Sequence, residues 1–482
     1  MSSNNIFDEI DAFLVAGKPS GTTPANVLAE LGATSVSLAV LDGGKITSRC
    51  YSNYGYNEQT VYQAASISKA INSLAVMRLV EQGRLALTST VKDVLPQDLV
   101  ALLTEGSPAA QRPLIEGITV KQLLSHTAGL SVSGIHGNTG DEDLPTTKES
   151  IAGSLRASNP RVRQVELPGT TYRYSGGGIT VLQAMMETVT GHHYPDLMRE
   201  LVLEPLGMAR SWYGVLPQDE ENAASVYVTA LQPFPIKHFN FPTMAAAGLW
   251  TTPSDLLRAI AAVQASLDGE EGAFLKQDTA RAMLEEVDSD VALSWFLKKD
   301  ENDKPAWFSH SGHNYPGFFS LVIGSTDHLG SAEMPKNCGV AFMTNSEDGA
   351  NVGHMLAVAV AHRKGWPMSW VRKTWSMPLG LSGQLAGSRW KAWEGVWTDK
   401  DGKHTYEMKA LEGGEPGLVF DGVGSLQLVP AAGRRLKKEN GYEEFVVEGM
   451  EVVMTLEEEK DGGEKVVKLS QDAGTVELTR AK

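Results

Sequence analysis

The stretch VYQAASISKAINSLAVMRLVEQGRL, Val61 to Leu85, decides how the rest of the chain is read. From Ala70 to Val80 only Asn72, Ser73 and Arg78 interrupt an apolar run, so the segment reads as a helix of a domain core. One turn earlier stands Ser66-Ile67-Ser68-Lys69, with a lysine turned to the same interior. A buried lysine is rare because desolvation disfavours its charge. Spacing i to i+3 puts Ser66 and Lys69 on one helical face. Ser66 stands where the helix begins, so its backbone amide is one of the free N–H groups of a helix start. A serine there has an amine beside it and an anion-stabilising amide beneath it, as an activated nucleophile requires. Desolvation favours the neutral lysine and makes it a usable base. Alone the pattern is weak, because a serine N-cap followed by a surface lysine reads the same way.

Two further motifs carry chemistry. Tyr172-Arg173-Tyr174-Ser175-Gly176-Gly177-Gly178 follows Leu167-Pro168-Gly169. Its glycines permit a tight backbone path that can hold the Tyr174 hydroxyl at a cleft. A phenol near an ammonium has its ionised form favoured and can pass protons. The competing reading is a glycine turn before a helix at Ile179, with Tyr174 packing by its ring. Ser309-His310-Ser311-Gly312-His313 leads through Asn314 to Pro316-Gly317-Phe318-Phe319, on or just before a late strand. A small residue at a strand edge, Gly312, lets a substrate backbone approach, and the next N–H can serve as a second oxyanion donor. A polar turn is the alternative. Metal binding through His310 and His313 lacks a third ligand.

The wider composition limits the choices. The 482 residues carry a formal net charge of −16 and are 42% hydrophobic, which fits a large core in two or three units. An acidic surface repels phosphate backbones, which argues against nucleic acid as a partner. The basic run Arg434-Arg435-Leu436-Lys437-Lys438 reads as a solvated hairpin turn. Cys50 and Cys338 are too far apart in sequence for a disulfide framework and read as buried, reduced side chains. The N-terminal segment is acidic and amphipathic, with Ile6, Ile10, Phe13 and Leu14 on one helical face. It lacks a basic n-region, and no apolar run approaches the roughly 18 residues of a membrane span. These features predict a cytoplasmic chain without a membrane span.

Strands are expected at Ser35–Leu41, turning at Asp42-Gly43-Gly44 into Lys45-Ile46-Thr47, and again at Phe318–Ile323 and Gly339–Thr344. Helices are expected at Ile118–Leu124 with Thr119 as N-cap, at Gly178–Thr190, after Thr252-Pro253, and at Val352–Ala361. Strands at both ends and helices between them predict an α+β domain, with an antiparallel sheet flanked by helices and an all-helical insertion. The region 366–390, with Pro, Gly and Ser between tryptophans, reads as a linker. From Glu394 about eight short alternating runs, punctuated by turns such as Asp401-Gly402 and Asn440-Gly441, predict a C-terminal antiparallel β-barrel. The expected division is therefore 1–365, 366–390 and 391–482.

Taken in order, SISK, YSGGG and HSGH resemble the serine β-lactamase and penicillin-binding-protein superfamily. The likeness is to the class C β-lactamase-related hydrolases, which include esterases, transesterases and D-aminopeptidases. The separations of 108 (174 − 66) and 136 (310 − 174) residues suit that family. So do ITVKQLLSHTAGL (Ile118–Leu130), Glu204-Pro205-Leu206-Gly207-Met208 and Ala247-Gly248-Leu249-Trp250-Thr251-Thr252. The resemblance covers about residues 8 to 365. It implies that Ser66 is acylated and that Lys69 and Tyr174 share the proton traffic. It matches His310-Ser311-Gly312 to the Lys-Thr-Gly element in its His-x-Gly form, and implies that the amides of Ser66 and His313 form the oxyanion hole. Gly176 stands where the family's Tyr-x-Asn motif has asparagine, which argues against strong β-lactam or amide recognition. The barrel resembles the lipocalin-like domains of some D-aminopeptidase relatives. The resemblance implies a serine hydrolase or acyltransferase for small-molecule esters or thioesters, with no cofactor or metal. D-amino-acid amides or peptides are the alternative substrates, weak β-lactamase activity is compatible, and a non-catalytic scaffold or sensor is the competing class. A homo-oligomer is left open.

Overall fold

The computed structural model describes residues 5–135, 137–139, 144–154, 156, 159–229, 232–288, 290–300, 302–326, 334–367, 393–411, 416–420, 425–430, 442–447, 453–458, 465–471 and 474–481. The basic run at 434–438 and nearly all of the expected linker lie outside the described residues. Two compact units are present, Gly17–Ala357 and Met1–Ala16 with Val358–Lys482.

The larger unit is built on a six-stranded antiparallel sheet. Its strands are β1 (Ser35–Asp42), β2 (Lys45–Ser52), β3 (Phe296–Lys299), β4 (Pro305–Asn314), β5 (Phe318–Ser325) and β6 (Gly339–Thr344), in the order β2-β1-β6-β5-β4-β3. β1 therefore lies between its hairpin partner and a strand from the far end of the region, with Val36 opposite Thr344 and Leu41 opposite Gly339. The β1–β2 turn uses Gly43 and Gly44 at φ 55° and 81°, the left-handed pair that a two-residue hairpin needs. Every residue of β1 from Ser35 to Leu41 is buried, because both faces of the sheet are covered.

Side-chain alternation assigns the faces. On β5, Ser320 and Gly324 point one way: Ser320 Oγ donates to the Ala64 carbonyl, and Ile260 crowds Gly324. This face receives helices from the middle of the chain. Phe319 points the other way and stacks on Phe342 of β6, with His354 edge-on to both rings. His354 stands on the helix Gly349–Lys364, whose first turns meet that face.

The helices form where the sequence signals them. α1 (Ile6–Val15) buries Ile6, Ile10, Phe13 and Leu14. α2 (Ile67–Glu81) is the apolar helix quoted above and is buried nearly all round. α3 (Val120–Leu124) starts at a capping box between Thr119 and Gln122. α4 (Gly176–Thr190) ends at left-handed Gly191. It begins two residues before the expected Gly178, because Ser175 caps it by accepting from the Gly178 N–H. The glycines therefore form the first helical turn rather than a loop before it. α5 (Met244–Ala247) packs between α2 and α4, and α6 (Pro253–Asp268), capped by Thr252, lies on β1, β5 and β6.

In the second unit, eight antiparallel strands close into a barrel: Gly395–Asp399, Thr405–Ala410, Pro416–Phe420, Ser425–Pro430, Tyr442–Val447, Val453–Glu458, Lys465–Gln471 and Gly474–Arg480. Closure comes from pairing of the first strand with the last, Trp397 opposite Arg480. The barrel has its own apolar core around Trp393, Trp397, Met408 and Leu478. Among the described residues no helix is long and apolar enough to cross a membrane.

Candidate active site

Ser66 sits at the N-cap of α2 but makes no side-chain cap bond, so its hydroxyl is free for other partners. The turn that presents it is strained: Ala65 has φ 49°, a left-handed value that non-glycine residues rarely take. That turn is tied down by the Ala64 N–H donating to the Leu249 carbonyl at 2.8 Å. Ser68 Oγ in turn accepts from the Leu249 N–H at 3.0 Å. Leu249, in the stretch Ala247–Thr252, thus supports the turn that presents Ser66.

Lys69 is 2% exposed, and its Nζ reaches Ser66 Oγ at 3.0 Å and the Ala246 carbonyl at 2.6 Å. Burial brings its pKa from 10.5 down to about 7. The amine is therefore divided between its neutral and charged forms near neutrality.

Burial pushes the Tyr174 phenol up to about 12, against a smaller lowering influence of the neighbouring Ser66 side chain. The expectation that a nearby ammonium would favour the phenolate is corrected here. Lys69 Nζ stands over the face of the ring, 4.9 Å from its centroid, and desolvation dominates. Tyr174 is thus a proton donor at neutral pH.

His310 lies on β4 facing the helices and is 2% exposed. Its Nδ1 meets the Ser311 carbonyl at 2.6 Å, so Nδ1 carries the proton and donates. Burial, reinforced by the Lys69 charge, brings its pKa down to about 3, so it stays neutral. His313, three residues on, falls on the opposite face of the strand, where its Nε2 is 3.0 Å from Glu347 Oε1. The two rings cannot share a metal. Ser311 is exposed on that same face, while the His313 backbone remains beside Gly312.

Gly312 works differently from expectation. A side chain there would meet not substrate but the protein itself: a Cβ would stand 2.1 Å from the Ala64 carbonyl oxygen and 2.9 Å from the Ser66 nitrogen. Its bare Cα lets β4 close against the start of α2.

Gly176 follows an extended residue, Ser175 at φ −142° and ψ 108°, so a side chain at 176 would project on the same side as Tyr174. That space is taken: Ile135 Cδ1 lies 2.7 Å from where the Cβ would be. Ser66, Lys69, Tyr174, His310 and Gly312 are thus gathered together, with Gly176 beside Ile135 two residues after Tyr174, and the His313 side chain lies on the other face of β4. Two nearby residues were not singled out from the sequence. Ile135 belongs to none of the motifs. His126, inside the quoted ITVKQLLSHTAGL stretch, lies with its ring 4.5 Å from that of Tyr174. Among the described residues no group of His, Cys, Asp and Glu could hold a metal ion.

A β-lactamase family model matches residues 24–363. Among curated proteins, penicillin-binding protein 4 of Amycolatopsis lactamdurans is 30% identical over 33% of this chain and 37% of its own length. Esterase EstB of Burkholderia gladioli is 29% identical over 43% of this chain and 58% of its own. The chain thus spans less than two thirds of either relative. An octameric penicillin-binding-protein homologue from Pyrococcus abyssi superposes with a TM-score of 0.54 at 18% identity, covering 99% of this chain and 100% of that one. EstCE1, a hydrolase with promiscuous acyltransferase activity, gives 0.53 at 21% identity over 74% of this chain and 99% of its own. D-amino acid amidase from Ochrobactrum anthropi gives 0.54 at 18% identity over 75% and 99%. At these identities the superpositions speak for the fold alone. The family model carries the assignment: the chain belongs to the β-lactamase family.

Proposed function

We propose that the protein is a serine hydrolase or acyltransferase that works through an acyl-enzyme on Ser66, with small-molecule esters or thioesters as substrates. The observation that carries this reading is the buried Lys69 amine, 3.0 Å from Ser66 Oγ with its pKa at about 7. Neutral Lys69 takes the Ser66 proton, and Oγ bonds to the substrate carbonyl carbon. The displaced π pair becomes an oxyanion between the N–H groups of Ser66 and His313, each donor contributing roughly 2.7–4 kcal/mol. Collapse breaks the bond to the leaving oxygen or sulfur, which takes a proton from Tyr174, and the Lys69 ammonium restores the phenol. Water or another nucleophile then repeats the sequence on the acyl group, with Lys69 again as base. His310 lines the site as a neutral group.

The preference for esters rests on Ile135. Where the family pattern offers an amide to the acyl side chain, an isoleucine methyl fills the space beside Gly176. An apolar wall has no hydrogen bond to give an amide-bearing acyl chain, and a polar group left unpaired there loses affinity. The division into a catalytic domain of 1–365, a linker of 366–390 and a barrel of 391–482 belongs to this proposal. So does a homo-oligomer, in keeping with the octameric Pyrococcus homologue.

The test is a panel of short-chain p-nitrophenyl esters, D-aminoacyl anilides and a chromogenic cephalosporin, with Ser66→Ala as control. Ester turnover that vanishes in the control is expected. Anilide turnover without ester turnover would replace the substrate class. Failure of a fluorophosphonate to label Ser66, together with no turnover, would remove the enzyme reading. Ile135→Ala is expected to raise kcat/KM for a phenylacetyl ester relative to acetyl by about 10-fold, the scale of one or two methylenes in an apolar pocket.

A further inference from the structure

His126 follows Ser125, the C-cap of α3, in a left-handed conformation, φ 57°, which a residue with a side chain seldom adopts without being held there. What the conformation achieves is visible at Tyr174. The His126 carbonyl accepts from the Arg173 N–H at 2.7 Å. Its ring Nδ1 accepts from the Ser175 N–H at 3.2 Å. One residue therefore grips the backbone on both sides of Tyr174, and its ring lies against the Tyr174 ring at 4.5 Å with a 39° tilt. A second tyrosine, Tyr172, stands edge-on to the same imidazole at 6.1 Å.

The grip also defines the tautomer. Because Nδ1 accepts, the proton of the neutral ring is on Nε2. Burial, reinforced by the Lys69 charge, pushes the imidazole well below its ordinary 6.5, so it does not become a cation that would eject the Ser175 N–H. Nε2 is itself buried without a hydrogen-bond partner among the described residues. An apolar ring could have filled this space without leaving a buried donor unpaired. The imidazole is instead suited to the one thing an apolar ring cannot do, which is accept the Ser175 N–H.

We infer that His126 is the positioning residue of Tyr174, holding the N–H groups of its two neighbours, Arg173 and Ser175, so that the phenol is presented to Ser66. The consequence for turnover rests on the acyl-transfer reading of Ser66, whereas the clamp itself is a matter of geometry. The same Ser175 residue caps α4 through its hydroxyl, so the clamp also joins α3 to the start of α4.

The test compares full-length wild type, His126→Phe and His126→Asn with p-nitrophenyl acetate, counting competent sites by fluorophosphonate titration of Ser66. Phenylalanine keeps the ring and loses the acceptor; asparagine keeps an acceptor near the Nδ1 position and loses the ring. His126→Phe is expected to lower kcat per titrated site on the order of 10²-fold, as a misplacement of about 1 Å can, with KM little changed. His126→Asn should recover most of that loss. In a Tyr174→Phe background, His126→Phe should add almost nothing, because the group it positions is gone. A crystal structure of His126→Phe should show the Tyr174 oxygen moved away from Ser66 Oγ. Unchanged kcat per titrated site, or losses that add in the double variant, would overturn the inference. So would an unmoved Tyr174 in the crystal, whatever the turnover. If wild type neither turns over esters nor labels, the acyl-enzyme reading falls, and the crystallographic comparison alone decides the clamp.

Discussion

Lys69 carries opposite consequences for stability and for chemistry. Its folded pKa of about 7 lies below the ordinary lysine value of 10.5, so between those values the unfolded chain holds a proton that the folded chain has released. Stability gained from this group therefore rises with pH from about 7 towards 10, and the desolvation penalty is largest below 7. Lys69→Met is expected to raise the unfolding free energy by on the order of 1–2 kcal/mol at pH 6, with the gain shrinking towards pH 10. Denaturant titrations at the two pH values measure it. The same variant should lose ester turnover. In wild type, kcat/KM should climb with pH through about 7 as the base forms and then level off, since Tyr174 stays protonated up to about 12 and His310 stays neutral down to about 3. A flat profile from pH 5 to 9 would contradict Lys69 as the base. Tyr174→Phe should cost about 10²- to 10⁴-fold in kcat, the range for a lost proton donor. The identities of these residues are legible in SISK, YSGGG and HSGH, but the ionisation of Tyr174 is not. It depends on how much water the folded site excludes and on whether the amine meets the oxygen or the ring face.

At the level of elements, the site is a meeting of a strand and a helix start. β4 and α2 approach so closely that only hydrogen fits at Gly312. Gly312→Ala places a methyl 2.1 Å from the Ala64 carbonyl oxygen, a backbone atom that cannot swing aside. Separation of strand and helix should destabilise the unit by roughly 1–3 kcal/mol and lower kcat/KM on the order of 10²-fold. Thermal melts and ester kinetics on one preparation read both. Wild-type kinetics in a folded Gly312→Ala would refute the close approach. Strand and helix positions follow from local pattern: Thr119 and Thr252 cap where expected, and the Gly43-Gly44 hairpin turns where it reads. α4 starts two residues earlier than a glycine run suggests, because the Ser175 cap recruits those glycines into the helix. Ile135 and His126 arrive at the site by tertiary packing, which leaves no periodic mark in the sequence.

For the molecule as a whole, the barrel owns a separate apolar core, with Trp397 fully buried and its Nε1 bonded to the Trp393 carbonyl at 3.1 Å. Trp397→Ala removes the largest fully buried side chain of that core and should lower the barrel's stability by about 3–5 kcal/mol. Calorimetry should show two transitions in wild type, with only one displaced in the variant and ester turnover retained across it. A single transition that moves as one would show the units to be energetically inseparable. The larger unit raises a different matter, because β1 near its start pairs with β6 near its end. On the ribosome, Thr344 is added 278 residues (344 − 66) after Ser66. At roughly 5–20 residues per second the delay is about 14–56 seconds. Throughout that interval the nascent chain carries SVSLAVL without its second partner strand, and for most of it Ser66 also lacks the strand Pro305–Asn314 that bears His310 and Gly312. A message cut short anywhere before β6 would yield an inert polypeptide with an unpaired apolar edge, a substrate for chaperones and proteases rather than a weak enzyme.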